Sequence, residues 1–133
     1  MKTVQDILDE KGTEVLWIDP LESALEAARM LREHHVGALL VQIDGYVVGI
    51  VSERDFISKV ILDHGASKQT KVSEIMTREL ITVGRTESAL TCINLMREHH
   101  IRHLPVVEEG KAVGIVSLRD LFLGVIEEVA PIA

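Results

Sequence analysis

Two seven-residue runs carry most of the chemistry available to this sequence. They are Gly49-Ile50-Val51-Ser52-Glu53-Arg54-Asp55 and, sixty-five positions later, Gly114-Ile115-Val116-Ser117-Leu118-Arg119-Asp120. In each, a short apolar stretch hands over to a hydroxyl, a guanidinium and a carboxylate at fixed spacing. Ser-x-x-Asp ahead of an apolar helical pattern is a capping box, which satisfies the first backbone N–H groups of a helix and is worth about 0.5–2 kcal/mol at the cap. The same carboxylate can accept hydrogen bonds from a vicinal diol such as that of a ribose. The helix N-terminus and Arg54 or Arg119 then favour a phosphate. Spacing alone favours the cap, and the two uses are compatible.

A second cluster is Ile101-Arg102-His103-Leu104-Pro105-Val106, where a helix gives way to a buried strand. Arginine there can clamp a phosphate with two parallel hydrogen bonds, or simply sit solvated at a helix C-terminus, where positive charge is mildly favourable. The earlier run has Gly37-Ala38-Leu39-Leu40 at those positions, so two sites built on the runs would be chemically unequal. His34-His35, His99-His100 and His103 do not suggest a metal site. Helical neighbours point about 100° apart, so these read as helix-end residues and no metal is expected. Cys92 lies in an apolar helical pattern and reads as a small buried hydrophobe. Trp17 reads as core, or as a platform on which a base could stack. GxxxxGK[ST], GxGxxG and HExxH are all absent, and no nucleophile is paired with a base. The chain reads as a binder and not as an enzyme.

The elements that hold these residues follow from periodicity and turn chemistry. A short helix is expected over 4–10, ended by Gly12, then an apolar extended run over 15–18 stopped by Asp19-Pro20. An amphipathic helix covers 21–35. Strands at 38–43 and 46–51 flank Asp44-Gly45, a pair suited to the positive φ angles of a type I′ hairpin turn. A helix over 52–63 and a polar linker over 64–70 complete the first half. The pattern then recurs: a short helix at 72–76, a strand at 80–83, a helix over 86–100, strands at 103–107 and 112–116 around Glu109-Gly110, and a last helix over 118–128. Aligned without gaps, Leu31–Asp55 and Met96–Asp120 share fourteen of twenty-five residues. This is a tandem duplication, and strands mixed with helices make each copy an α/β unit with a small sheet backed by helices.

Composition sets the outer limits. With 133 residues and 47% apolar content the chain can bury a sizeable core, and 3% aromatic residues make that core aliphatic. A net charge of -7 disfavours sequence-independent nucleic-acid binding. One cysteine excludes an internal disulfide. The acidic start does not fit a signal peptide and no long apolar run spans a membrane, so a cytoplasmic location is expected.

Three pieces of sequence, in this order and largely twice over, resemble the cystathionine-β-synthase (CBS) domain family. They are Val72-Ser73-Glu74-Ile75-Met76-Thr77, His100-Ile101-Arg102-His103-Leu104-Pro105-Val106-Val107 and the two Gly-Ile-Val-Ser-x-Arg-Asp runs. The resemblance covers Val4 to Glu128. It implies an α/β (α+β) fold of two βαββα repeats, 1–67 and 68–133, packed sheet to sheet with pseudo-twofold symmetry as one stand-alone module. Such modules commonly form flat homodimers, and their clefts bind adenine ligands: AMP, ADP, ATP, S-adenosylmethionine or NAD.

Carried over by residue, the resemblance implies that Asp120 and Asp55 hold ribose hydroxyls, with Ser117 and Ser52 nearby. It implies that Leu16, Trp17, Ile18, Val36, Gly37 and Ala38 enclose adenine in the Asp120 cleft, and Ile81, Thr82, Val83 and Ile101 in the Asp55 cleft. Arg102 and His103 would approach the phosphates. Leu40 departs from the usual proline, and Gly37-Ala38 from the usual basic or polar pair.

The expected function is a non-catalytic regulatory module that needs no cofactor, binds an adenine nucleotide and signals by conformational change to an effector protein. The alternative is a homodimerisation module without a ligand. The apolar faces after Ser52 (Phe56, Ile57, Val60) and Ser117 (Leu121, Phe122, Val125) are expected to supply part of a dimer surface.

Overall fold

Thr3 starts the first helix. Its hydroxyl oxygen accepts the Asp6 N–H while the Asp6 carboxylate accepts the Thr3 N–H, a complete capping box. Helix α1 (Val4–Lys11) ends at Gly12, whose φ of 99° lies where side chains are strained. Val4, Ile7 and Leu8, spaced three and four apart, bury one face. In the computed structural model, which describes residues 1–64 and 69–129, contacts divide the chain into two compact units. The terminal unit joins Met1–Val15 to Ile81–Ala133, and the central unit is Leu16–Leu80. The units therefore differ from the sequence repeats: α1 packs with the later hairpin, and the short helix after the linker packs with the earlier one.

The central unit contains β1 (Trp17–Ile18), α2 (Ala24–His34), β2 (Ala38–Ile43), β3 (Tyr46–Ser52), the single turn α3 (Glu53–Asp55) running into a π-helix (Phe56–His64), and α4 (Val72–Ile75). Strand β1 runs parallel to β2, with Trp17 opposite Leu40, and β2 pairs antiparallel with β3, with Ala38 opposite Ser52. Its core is Ile18, Ala27, Leu31, Leu39, Val41, Val51, Val72 and Ile75. The terminal unit adds α5 (Ala89–His99), β4 (His103–Glu108), β5 (Lys111–Ser117) and α6 (Leu118–Val129) to α1. Strands β4 and β5 are antiparallel, with His103 opposite Ser117. Leu8, Cys92, Met96, Leu104, Val106, Val116 and Leu121 form its core. Both cores are aliphatic, as the composition requires.

The hairpin turns are as expected: Asp44 and Gly45 have φ of 50° and 84°, Glu109 and Gly110 52° and 81°. Helices α2 and α5 start three residues later than their periodicity suggests, because Ser23 and Ser88 act as N-caps, accepting the Glu26 and Thr91 N–H groups. His34 and His99 are the last residues of these helices, and His35 and His100 adopt the left-handed conformation that closes them.

Two expectations need correcting. The strand over 80–83 shrinks to one parallel bridge, Val83 with Val106. In the central unit the Leu40 N–H donates to the Leu16 carbonyl at 3.1 Å. The equivalent position is Pro105, which has no N–H to give, so the ladder loses that rung. The helix over 52–63 is α-helical only to Asp55. The Ser58 hydroxyl donates to the Arg54 carbonyl at 3.0 Å, competing for the acceptor that an α-helix offers to the Ser58 N–H. Leu123 stands in that place in α6, which stays α-helical. The polar linker falls largely on 65–68, outside the described residues.

The glycine of each Gly-Ile-Val-Ser run has a steric reason. A Cβ on Gly114 would lie 2.7 Å from Leu8 Cδ2 and 2.9 Å from Cδ1; on Gly49 it would lie 2.7 Å from Met76 Sδ and 3.1 Å from the Thr77 carbonyl oxygen. Leu8 is fully buried and has nowhere to retreat. Gly114→Ala is expected to cost about 1–3 kcal/mol by overpacking, and clearly less in a Leu8→Ala background. A double-mutant cycle in urea checks this, and additive effects would refute it.

Candidate functional site

Each unit brings the same four pieces of backbone together. In the terminal unit the Leu118 N–H, the first of α6, donates to the Arg102 carbonyl at 2.8 Å, just ahead of β4. Ser117 closes β5 opposite His103, and Val83 bridges to β4 through Pro105 and Val107. Thus Ile81, Thr82, Val83, Ile101, Arg102, His103, Ser117, Arg119 and Asp120 belong to one unit. In the central unit the Glu53 N–H donates to the Gly37 carbonyl at 3.0 Å, Ser52 closes β3 opposite Ala38, and β1 lies beside β2. That groups Leu16, Trp17, Ile18, Val36, Gly37, Ala38, Ser52, Arg54 and Asp55. Trp17 is 52% exposed, so it is not a core residue.

The two carboxylates have different surroundings. Asp55 is 6% exposed. Its Oδ2 accepts from the Ser52 N–H at 2.8 Å and the Ser52 hydroxyl at 3.2 Å. Its Oδ1 accepts from the Thr77 hydroxyl at 3.0 Å and is paired with Lys59 Nζ at 3.0 Å. Lys59 also donates to the Ile75 carbonyl at 2.9 Å, so four donors and a second backbone segment fix Asp55. Asp120 is half-buried. Its Oδ2 accepts from the Ser117 N–H at 2.8 Å and from Lys11 Nζ at 2.7 Å, and the Ser117 hydroxyl oxygen accepts the Asp120 N–H at 3.1 Å. Among the described residues, every bond to this carboxylate falls on Oδ2. Lys11 also donates to the Ile115 carbonyl at 3.0 Å.

Burial pushes the Asp120 carboxyl upward, but the Lys11 ammonium and the Ser117 N–H outweigh it and hold the group below its ordinary value. The residues missed by sequence reasoning are Lys11, Lys59 and Thr77. Lys59 was detectable, four residues after Asp55 on a helix. Lys11 was not, since 109 positions separate it from its partner.

Arg102 and Arg119 are exposed beside the start of α6. Cys92 is buried, and burial followed by the charge of Glu87 pushes its thiol up to about 11, which leaves it a packing residue. Among the described residues, no three His, Cys, Asp or Glu side chains gather where they could hold an ion, and no helix is long and apolar enough to cross a membrane.

Two hairpins, each feeding a capped helix from a Gly-Ile-Val-Ser strand, define a pair of CBS repeats. The CBS domain model matches residues 4–62 and 72–127, and the chain belongs to that family. It has the mixed α/β fold of a CBS pair. The chain is 36% identical over 135 residues to the CBS domain-containing protein CBSX3, mitochondrial, of Arabidopsis thaliana, covering 95% of this chain and 66% of that protein. Among solved structures, a candidate signal-transduction protein with CBS domains from Burkholderia ambifaria MC40-6 is 37% identical, with a TM-score of 0.91 over 99% of this chain and 98% of that one. The CBS domain pair of protein MJ0100, solved in complex with 5′-methylthioadenosine and S-adenosyl-L-methionine, is 26% identical, with a TM-score of 0.84 over 96% of this chain and 98% of the other.

Because its folded-state pKa lies below the ordinary 3.8, Asp120 contributes stability at neutral pH that is lost as pH falls through the folded value. Asp120→Asn is therefore expected to be less stable than wild type at pH 7, with the gap closing from about pH 5 downward. Urea unfolding across that range reads it; a gap that widens on acidification contradicts the assignment.

Proposed function

We propose that this chain is a regulatory module that binds one adenine nucleotide, with the ribose diol on Asp120. The observation that carries the reading is the asymmetry of the carboxylates. Asp120 is half-buried, ionised, oriented by its own helix cap and keeps Oδ1 clear of described donors, whereas both oxygens of buried Asp55 are engaged. The complex of the MJ0100 CBS pair supports the adenosyl part of this ligand, since both of its named ligands carry an adenosyl group, though neither carries a phosphate.

AMP, ADP and ATP are the favoured ligands, ahead of S-adenosylmethionine and NAD, because Arg102 and Arg119 supply positive charge beside the cap. In this reading the surroundings of Asp55, with Ser52 and Arg54, take no nucleotide. Binding at about 100 times the dissociation constant stabilises the bound arrangement by about 2.7 kcal/mol. It moves an effector-reading equilibrium only through differential affinity for the two arrangements.

A second reading is homodimerisation without ligand. It is favoured by the completeness of the Ser117–Asp120 cap and by exposed apolar side chains. Of the faces expected to be apolar, Val60 and Leu121 are buried in their own cores. Ile57, Ile61 and Leu62 on the π-helix and Phe122, Leu123 and Ile126 on α6 are exposed. The two readings coexist if a homodimer presents the nucleotide site.

Titration calorimetry with AMP and ATP is expected to give one site per chain. Asp120→Asn should lose at least tenfold in affinity, while Asp55→Asn loses stability but binds nearly as wild type. Absence of heat and of thermal shift with AMP, ADP, ATP, NAD and S-adenosylmethionine would leave the dimerisation reading. Light scattering, with Phe122→Glu as the monomerising variant, tests the dimer itself.

A further inference from the structure

We propose that Lys11 sets the charge preference of the Asp120 site, admitting a nucleoside that carries a 5′-phosphate over an uncharged adenosine. The inference rests on the reading above and adds the determinant of ligand class. Lys11 reaches the site because of how α1 is seated. It follows Ile7 by four residues and Leu8 by three, so all three share a helix face. Ile7 packs where a Cβ on Gly124 would lie 3.5 Å away, and Leu8 packs over Gly114. One turn further on, the ammonium meets Ile115 O at 3.0 Å and Asp120 Oδ2 at 2.7 Å.

An ammonium has three protons, and two are committed here among the described residues. The Lys11 side chain remains 34% exposed, so its third proton and its charge are accessible to a ligand. The pair with Lys11 also cancels the charge of Asp120. Without it, a carboxylate at the sugar site would repel a phosphate; with it, the exposed Arg102 and Arg119 are no longer opposed by the Asp120 charge.

The central unit has no such arrangement. Its lysine, Lys59, comes from the same helix as Asp55 and donates into the Ile75 carbonyl, and Gly37 stands where Arg102 stands. In the terminal unit the position matching Lys59 is Gly124, so the lysine at Asp120 is not inherited from the duplication. It is supplied by α1, at the helix C-terminus, where positive charge is favoured.

The test compares AMP with adenosine on wild type, Lys11→Met and Lys11→Arg, by calorimetry at two salt concentrations. Expected are a wild-type preference for AMP of tenfold or more that weakens with salt, a collapse of that preference in Lys11→Met through loss of AMP affinity alone, and its retention in Lys11→Arg. Equal loss of both ligands in Lys11→Met overturns the proposal, because Lys11 would then only hold Asp120 in place. An unchanged preference overturns it too, while leaving the nucleotide site intact. If wild type binds neither ligand, the site reading itself fails and this inference fails with it. Should Lys11→Met not fold, Lys11→Gln and the wild-type salt dependence decide: a preference insensitive to both is fatal.

Discussion

The approach of α1 to β5 governs the geometry at Asp120. Leu8 sits so close over Gly114 that no side chain fits there, and that contact fixes both the height and the register of the helix. Lys11 inherits its position from this packing. Were α1 lifted by the width of a methyl group, the ammonium would no longer bridge Ile115 O and Asp120 at hydrogen-bond distance. Met76 over Gly49 is the same device in the central unit, and there it brings Thr77 to Asp55. A hydrophobic contact thus sets the polar partners of each carboxylate, and a close-packed interior makes that setting rigid.

Much of this arrangement was legible in the sequence because it is local. Asp44-Gly45 and Glu109-Gly110 dictate their turns through backbone conformation alone. Ser117 and Asp120 lie three residues apart and find each other within one helical turn. What was not legible depends on pairing across the chain. That α1 packs with residues beyond 80 cannot be read from its own periodicity, which says only that one face is buried. The missing strand over 80–83 was closer to hand, since Pro105 announces a lost donor; the apolar run suggested a strand, and the absent N–H removed it. In the π-helix after Asp55 the Ser58 hydroxyl bonds the Arg54 carbonyl, a local competition that periodicity does not see.

The duplication predicts two equal carboxylates, yet the surrounding residues have diverged. At Asp55, a lysine one turn along the helix and a threonine from the segment after α4 both close over Oδ1, while the Ser52 cap takes Oδ2. At Asp120, the lysine position is glycine and the lysine arrives from another element. Ile7 of α1 lies against α6 at Gly124, at the distance of an ordinary contact to a Cβ placed there, and α1 carries Lys11 to the carboxylate.

In the proposed reading, capping and ligand binding are successive uses of one carboxylate and not rivals for it. The cap draws on Oδ2 through a backbone N–H that must be satisfied in any folded state. In doing so it fixes the rotamer of Asp120 and favours the ionised form, with Lys11 reinforcing both. A diol arriving at Oδ1 would meet an acceptor already oriented and already charged, so little ordering cost remains to be met on binding. Asp55 follows the same path one step further. Its cap, its threonine and its lysine satisfy both oxygens and bury the group, which turns an acceptor of the same ancestry into part of the central unit's framework.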